Sequence, residues 1–365
     1  MAATCLTELT LSHFRCFGNA VIRPGSAPII LTGANGCGKT SILEAVSLCS
    51  PGRGLRRATV EEMANLSAGT GWKVVCGLGS GNLISSWWQH GPGRRVEVDG
   101  KPVRQTDLSR YLRVLWLTPS MDRLWSEGAE GRRRFLDRMA MSLFPDHPEM
   151  TGGYDKAMRE RNRMLRDGIE DASWFNALEA RMAESGAGIT RGRQATIAKL
   201  EAAFASAASA FPAAGLRLIS SADACAASES PNEIAEALSR GRGRDFKAGR
   251  TLAGPHRADL QVDYLEKATA ARYCSTGEQK ALLISIMLAN ARAVASESIP
   301  PVLLLDEIAA HLDGERLRLL FGEIRDLTSQ TWMTGTDISL FGPIADAAQK
   351  FWLRGAAGGS EIQQL

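Results

Sequence analysis

The segment that most constrains this chain is Gly33–Thr40, which reads Gly-Ala-Asn-Gly-Cys-Gly-Lys-Thr. It matches the phosphate-binding loop pattern G-x-x-x-x-G-K-[ST] in full. The apolar segment "PIIL" precedes the loop, and an amphipathic stretch from Thr40 to about Cys49 follows it. Because a strand, a glycine-rich loop and a helix in this order are typical of nucleotide-binding proteins, the sequence predicts an α/β domain with a nucleotide site.

Each part of this loop has an expected chemical role. Backbone N–H groups point at phosphate oxygens, Lys39 reaches the β- and γ-phosphates, and the Thr40 hydroxyl binds Mg²⁺. Cys37 is interpreted as a tolerated small residue, close enough to the phosphates for a bulky thiol reagent to crowd them. The residues expected to bind the nucleotide are Gly33, Ala34, Asn35, Gly36, Cys37, Gly38, Lys39, Thr40 and Ser41.

A second motif is the segment "PVLLLDE" at 301–307, an apolar strand that ends in two acids. A buried strand of this kind delivers Asp306 to the edge of the sheet where Mg²⁺ is expected. Glu307 then lies where it can orient or deprotonate an attacking water. We therefore expect Asp306 and Thr40 to hold the metal, and Glu307 and Lys39 to be the catalytic residues.

A third motif, "CSTGEQKALLISIMLANARA" at 274–293, opens a helix with a Ser-x-Gly-x-Gln element. A hydroxyl and a glycine at the first turn of a helix favour anion binding. The order of the three motifs resembles ATPases of the ABC and SMC type. That resemblance implies that Ser275, Gly277 and Gln279 complete the site of a second copy, so that two ATP molecules are sandwiched in a homodimer.

Composition and charge narrow the class of protein. The chain has 365 residues, 44% of them hydrophobic, and a formal net charge of +3. It contains no apolar run of the roughly 20 residues that span a membrane and no signal-peptide pattern, so we expect a cytoplasmic protein. The seven cysteines lack C-x-x-C spacing, which favours reduced thiols over a zinc site.

Regular patterns divide the chain into three stretches. Strand-like alternation covers 6–31 and 72–104, with a hairpin turn at Asp99-Gly100. Helical spacing begins near Met121, and we expect Gly186 and Gly188 to break the helices there. The segment 240–260 is expected to return to loop and strand. The fold class predicted is an α/β ATPase head of the ABC/SMC type, formed by 1–120 and 246–365, with a helical arm inserted at 121–245.

Further segments resemble one family, the RecF DNA repair and recombination proteins. The segments that carry the resemblance are "LTLSHFRCF", "LTGANGCGKTSILEAV" with Glu44, "LWLTPSMDRLWSEGAEGRRRFLDRM", "YDKAMRERNRML", "RTLAGPHRADL" and "TWMTGTD". They span most of the chain in the family's order. This chain departs from the family pattern at five positions: Ala258, Thr276, Glu278, Glu307 and His311. The rate of ATP hydrolysis, and its coupling to the other steps, can therefore differ from those of the family.

The resemblance implies an ATP-dependent protein of recombinational repair with weak, DNA-stimulated ATPase activity. It also implies binding to gapped or junction DNA, and recombination mediator proteins as partners. Sequence-independent DNA binding needs cations that meet phosphates, and arginine suits that task. The candidates are Arg53, Arg56, Arg57, Arg132 and Arg133, although such clusters also occur on solvated helix faces.

Three alternatives stay open from the sequence. One is the ATPase subunit of a transporter, which the Gly-Pro-His-Arg segment at 254–257 disfavours. Another is an SMC-like ATPase of a different DNA-maintenance or defence system. The third is a clamp that ATP holds shut on DNA without hydrolysis. The segment at 254–257 is either a structural corner or a part of the nucleotide or head interface.

Overall fold

The computed structural model describes residues 5–65, 69–206, 209–220, 224–297, 300–327, 329–356 and 359–365. The chain divides into two compact units. Unit 1 comprises Met1–Asp122 and Met287–Leu365, and unit 2 comprises Arg123–Ile286. Residues 246–286 therefore group with unit 2, whereas the sequence suggested that the head resumes at 246; the predicted domain boundaries stay a prediction.

The N-terminal part of unit 1 is mainly β-structure with one helix after the phosphate-binding loop. Its elements are β1 (Leu6–Phe14), β2 (Phe17–Ile22), β3 (Ile29–Gly33), α1 (Lys39–Ser47), β4 (Trp72–Leu78), β5 (Leu83–Trp88), β6 (Arg95–Val98), β7 (Lys101–Pro102) and β8 (Val114–Leu117).

Unit 2 is mainly helical, with a three-stranded antiparallel sheet in the order β11-β10-β9. The last of its helices, α6, continues into unit 1. The elements are α2 (Ala129–Leu143), α3 (His147–Asp167), α4 (Ala172–Ser206), β9 (Ala214–Ser220), α5 (Pro231–Ala248), β10 (Ala258–Tyr264), β11 (Thr269–Ala270) and α6 (Thr276–Ala295).

The C-terminal part of unit 1 completes the second sheet of that unit. Its elements are β12 (Val302–Leu305), α7 (Gly314–Asp326), β13 (Thr331–Gly335), α8 (Gly342–Ala345), β14 (Gln349–Ala356) and β15 (Gly359–Gln364). Among the described residues, no helix combines the length and the apolar character that crossing a membrane requires.

The sheet that positions the site has the order β15-β14-β3-β13-β12-β8. Strands β14, β3, β13, β12 and β8 run parallel, and β15 pairs antiparallel with β14 at one edge. Every residue of β3, β8, β12 and β13 is buried, which explains the continuous apolar sequences of β8 and β12. Because parallel strands share one carboxyl edge, the residues that follow β3, β12 and β13 lie together there.

The other sheet of unit 1 is antiparallel, in the order β2-β1-β4-β5-β6-β7. One face buries alternate residues such as Leu9, Leu11, Val74 and Ile84 in the core, and the opposite face carries polar side chains. The hairpin expected at Asp99-Gly100 is present, with φ of 52° and 75° at these two residues. Both angles are positive, as the two-residue turn requires.

The helical segment differs from the sequence expectation in one respect. Helix α4 runs without interruption through Gly186 and Gly188 for 35 residues. A Cβ at Gly186 would lie 3.3 Å from the Pro255 ring, and one at Gly188 would lie 3.0 Å from the Met150 sulfur. The expected break was therefore wrong, because these glycines allow close packing of α4 rather than ending it.

Two further expectations are corrected by the structure. Residues 240–248 were expected in a loop, but they form the last part of α5, which ends at Gly249 with φ of 62°. The cysteines were all expected to be reduced, but Cys49 and Cys76 are joined by a disulfide between the region after α1 and strand β4. The other described cysteines are free.

A buried arginine joins three helices of unit 2. The Arg161 side chain is fully buried, and it donates to Glu179 Oε1 at 3.0 and 3.1 Å and to Asp245 Oδ2 at 2.7 Å. Glu179 also accepts from Arg242. Since Arg161 lies on α3, Glu179 on α4 and Asp245 on α5, this ion-pair network fixes the three helices relative to one another.

Candidate functional site

The phosphate-binding loop lies between β3 and α1, and glycines determine its path. Gly33, Gly36 and Gly38 have φ of 148°, 81° and 100°, a region that side chains with a Cβ rarely adopt. A Cβ at Gly33 would overlap the carbonyl oxygen of Leu353, whereas one at Gly36 would meet open space. The loop is therefore packed tightly at its start and open near Gly36, where an anion can approach the backbone.

Lys39 begins α1 with its side chain folded back over the loop. It is 4% exposed, and its Nζ donates to the carbonyl oxygens of Gly33 at 2.6 Å and Ala34 at 3.0 Å. The loop thus holds a buried ammonium group at its centre. A charge in this position is what a polyphosphate requires of the loop.

Asp306 receives hydrogen bonds from two hydroxyl groups on different elements. Thr40 Oγ1 donates to Asp306 Oδ1 at 2.9 Å, and Thr334 Oγ1 donates to the same oxygen at 2.8 Å. Burial raises the pKa of the Asp306 carboxyl, and the hydrogen bonds from Thr334 and Thr40 oppose that rise. A carboxylate and a hydroxyl beside the loop are the oxygen donors that Mg²⁺ prefers, so these residues fit the metal.

Glu307 follows in an uncommon backbone conformation. Its φ of 49° and ψ of 29° place it in the left-handed region, which costs a non-glycine residue on the order of 1 kcal/mol or more. Its backbone N–H donates to Thr334 Oγ1 at 2.8 Å. Thr334 therefore aligns both acids, a role that the sequence alone did not indicate because a threonine in a buried strand carries no distinctive pattern.

Lys39, Thr40 and Glu307 line one cleft of about 510 Å³, and Asp306 is hydrogen-bonded to Thr40 beside it. Six of the nine loop residues expected to bind the nucleotide line this cleft, whereas Gly33 and Ala34 do not, and Cys37 is 4% exposed and packs in the core. Further side chains enter the cleft that were not assigned to the nucleotide from the sequence, among them Cys16. The lining residues are Arg15, Cys16, Asn35, Gly36, Gly38, Lys39, Thr40, Ser41, Arg56, Glu62, Ala64 and Glu307.

Two arginines of the cleft are held by one buried acid. Arg15 donates to both carboxylate oxygens of Glu44 at 2.8 and 2.7 Å, and Glu44 is fully buried. Arg56 Nη1 lies 3.8 Å from Glu44 Oε2 and is 43% exposed. Arg56 lines the cleft beside the phosphate-binding loop, and its expected contact with DNA stays a prediction. The segment "SHFRCF" before the loop was the available signal for Arg15.

The remaining arginine candidates lie in different surroundings. Arg53 and Arg57 are exposed after α1. In unit 2, Arg132 donates to both oxygens of Asp259 at 2.8 Å, and Arg133 donates to the Ala258 carbonyl at 2.7 Å. These contacts hold α2 against β10. A role of all four residues in DNA binding stays a prediction.

The Ser-x-Gly-x-Gln element lies at the start of α6. Ser275 is exposed, and its hydroxyl donates to Glu278 Oε2 at 2.9 Å. The ammonium of Lys267 and the Ser275 groups lower the pKa of Glu278 to about 2. Gln279 is buried and donates to the Cys274 carbonyl at 3.0 Å. The serine hydroxyl and Gly277 therefore lie at the outer end of the helix, while Gln279 holds the preceding turn.

The Gly-Pro-His-Arg segment forms a corner of unit 2. Tyr154 Oη lies 2.7 Å from His256 Nδ1, and His256 Nε2 lies 3.2 Å from the Thr251 carbonyl oxygen. The Pro255 carbonyl accepts from Arg193 at 2.8 Å. Since both ring nitrogens are engaged within the unit, these contacts give the segment a structural role.

Comparison with known proteins agrees with the fold. A family model described as an AAA domain matches residues 8–62. A solved Smc head domain with an extended coiled coil, from Pyrococcus furiosus, aligns with a TM-score of 0.56 at 16% identity, covering 99% of this chain and 96% of that one. The fold and the loop define the class: the protein has an ATPase head fold of the ABC/SMC type.

More similar proteins identify the family within this class. A solved structure of "the recombination mediator protein RecF-ATP in RecFOR pathway" aligns with a TM-score of 0.80 at 22% identity, over 100% of this chain and 99% of that chain. The DNA replication and repair protein RecF of Mesorhizobium japonicum is 43% identical over 364 residues, covering 95% of this chain and 96% of the relative. The chain belongs to the RecF family of DNA replication and repair proteins.

Proposed function

We propose that the protein is an ATP-dependent DNA-binding protein of recombinational repair that uses Mg²⁺. One observation carries the proposal: Thr40 of the phosphate-binding loop and Asp306 of the acidic strand share a hydrogen bond beside the cleft. A solved relative was described with ATP, which supports ATP as the nucleotide for this chain. The proposal assigns the protein to the cytoplasm and gives it no membrane partner.

Different residues in and beside the cleft bind the phosphates, bind the metal and activate the attacking water. Lys39 and the loop N–H groups bind the phosphates, with open space beside Gly36 for their approach. Thr40 and Asp306 hold Mg²⁺, which neutralises charge on the phosphate oxygens. Glu307 orients a water and accepts its proton, and Arg15 and Arg56 add positive charge to the wall of the cleft.

A second copy of the chain completes the site in this proposal. Ser275 and Gly277 are presented at the first turn of α6, a 20-residue helix whose N-terminus favours an anion. Within the same chain, Gln279 keeps the preceding turn in place through the Cys274 carbonyl. ATP binding then favours a closed homodimer, because each nucleotide contacts two chains. Hydrolysis by Glu307 is slow and reopens the dimer.

The DNA partner is gapped or junction DNA, bound without sequence preference. Arg53 and Arg57 are exposed in the segment that also brings Arg56 to the nucleotide cleft. This continuity supports a coupling between the nucleotide and the DNA surface. Arg57→Glu is expected to weaken DNA binding and to reduce the magnitude of the salt slope by about 1. Two further steps are proposed from membership in the RecF family: the protein assists recombinase loading, and it contacts recombination mediator proteins.

The test is fluorescence anisotropy of labelled gapped duplex and continuous duplex, each with ATP, with ADP and without nucleotide. We expect ATP to tighten binding, and most strongly for the gapped duplex. Lys39→Ala should remove the ATP effect, while Lys156→Ala, which removes an exposed lysine of α3, should retain it. Equal affinity under all three nucleotide conditions would overturn the proposal.

A further inference from the structure

The outer face of the antiparallel sheet in unit 1 carries a row of polar and aromatic residues. The register pairs Ser12 with Lys73, Lys73 with Trp87, and Trp87 with Arg95. Side chains at paired positions point to the same side of a sheet. The core side is defined by residues such as Val74, so this row lies on the opposite face, away from the core.

Within this row, an indole lies between two cations. Lys73 and Arg95 are exposed, and Trp87 is partly exposed. Neighbouring strands are about 4.8 Å apart, so the backbones of Lys73 and Arg95 are separated by about 10 Å, with Trp87 midway. We name these three residues the Trp87 platform.

A cleft of about 510 Å³ adjoins the platform, and its lining includes Trp87, Arg95, Arg104, Gln105 and one acid, Glu97. This volume lies in the range of about 300–1,000 Å³ that small ligand groups occupy. Arg104 is exposed and pairs with Asp107 at 3.1 Å, so it contributes less charge than the platform residues.

Arg94, next to Arg95 in the chain, has a structural role. Arg94 is buried and donates to the carbonyl oxygens of Leu48 and Gly52, and burial lowers its pKa to about 10. It therefore ties the sheet to the end of α1. Arg95, one residue later, is the first residue of β6 and is exposed.

We propose that the Trp87 platform binds single-stranded DNA, with a base stacked on Trp87 and the flanking phosphates bound by Lys73 and Arg95. A base of intact duplex is already stacked between its neighbours, so a flat indole gains a partner only where the strand is single. The two cations supply charge complementarity on both sides of the ring. The row contains no acid, whereas the adjacent row across β4, β5 and β6 has Glu97 beside Ser85.

The inference rests on the proposed function for the kind of partner, but it concerns a site separate from the nucleotide cleft. None of its residues lines that cleft. Binding at the platform is therefore expected without nucleotide as well as with ATP, and the single-stranded part of a gapped duplex is the segment that it contacts.

The test uses the full chain and labelled oligo-dT of about 15 nucleotides, within the range of single-strand site sizes. Trp87→Ala is expected to weaken binding about tenfold, in line with the loss of one stacked base, while Trp87→Phe retains most of the affinity. Trp174→Ala removes a 45% exposed indole of unit 2 and should leave binding unchanged. Melting temperatures within experimental error of wild type exclude a folding defect.

Charge is tested separately by Arg95→Glu and Lys73→Glu, with Arg318→Glu on the exposed side of α7 as the matched control. The two platform variants should lower both the affinity for oligo-dT and its salt slope, and the control should not. If wild type binds gapped duplex with ATP but these variants and Trp87→Ala bind oligo-dT normally, the platform is overturned and the proposed function stands. If ATP does not promote binding of the wild-type protein to any of the DNA substrates, the proposed function fails. Weak oligo-dT binding that still depends on Trp87 would support the platform alone.

Discussion

The Thr40 hydroxyl donates to Asp306 Oδ1 at 2.9 Å, although the two residues are 266 positions apart in the chain. One follows β3 and the other follows β12, and both strands end at the same edge of the parallel sheet. Thr334, which lies within the intervening strand β13, donates to the same oxygen. Three strands thus assemble one oxygen-rich corner next to the phosphate-binding loop.

Asp306→Asn tests this corner, because it removes the charge and keeps an oxygen for the Thr40 and Thr334 hydroxyls. We expect the Mg²⁺ concentration needed for half-maximal ATP binding to rise by at least about tenfold, since loss of even an indirect partner of a metal ligand costs that much. Titration calorimetry with Mg²⁺ and ATP measures it. Glu315→Gln, which neutralises an exposed acid of α7, is the control. An unchanged Mg²⁺ requirement would remove Asp306 from the metal site.

Thiol labelling tests the geometry of the loop. Cys37 is 4% exposed and packs in the core, while Cys16 lines the cleft. A thiol reagent should therefore modify Cys16 well before Cys37, and ATP should slow the reaction at Cys16. Peptide mass mapping gives the order of modification, and Cys16→Ser should abolish the ATP-protected reaction. Modification of Cys37 first would show that the loop is turned differently.

The sequence was informative where local pattern and fold agree. The apolar runs of β3 and β12 and the Asp99-Gly100 turn were predictable because each depends on neighbouring residues. The loop motif and the two acids indicated the polar corner for a different reason: each follows a predicted strand, and the carboxyl ends of parallel strands meet at one edge of the sheet. Arg15 and Thr334 were missed, since their roles depend on Glu44 and Asp306, which lie far away in the sequence.

The errors have a common physical origin in long-range packing. Gly186 and Gly188 lower helix propensity locally, yet α4 continues because Pro255 and Met150 pack against the space that the glycines leave. The disulfide between Cys49 and Cys76 depends on the approach of two segments 27 residues apart. Local pattern carries no information on such approaches.

The corner formed by His256 predicts a pH dependence of stability. Burial lowers the pKa of His256 to about 4, below the value of about 6.5 in the unfolded chain. The unfolded state therefore binds more protons between these values, so this contribution to stability is complete above about pH 6.5 and is lost as the pH falls towards 4. Melting temperatures at pH 7 and pH 5 should differ less for His256→Gln than for wild type. An equal difference would contradict the burial of a neutral histidine.

Arg161 provides a test of the helical unit. Arg161→Ala removes the guanidinium that joins the buried carboxylates of Glu179 and Asp245 and leaves Asp245 without its arginine, while Glu179 keeps Arg242. Breaking a buried pair in this way costs about 3–5 kcal/mol. We expect the melting temperature to fall by on the order of 10 °C. Arg240→Ala breaks an exposed pair with Glu236 on α5 and should change it by about 2 °C or less. Similar shifts for the two variants would mean that the buried network contributes little.

The central claim is that ATP joins two chains, and Glu307→Gln tests it most directly, because this change keeps the side-chain shape while removing the base. Sedimentation of this variant is measured with ATP, with ADP and without nucleotide. The account predicts twice the chain mass of 39.3 kDa with ATP and the single-chain mass otherwise. The addition of Ser275→Arg, at the exposed start of α6, should prevent the dimer while ATP still binds. A single-chain mass for Glu307→Gln at saturating ATP would contradict the account.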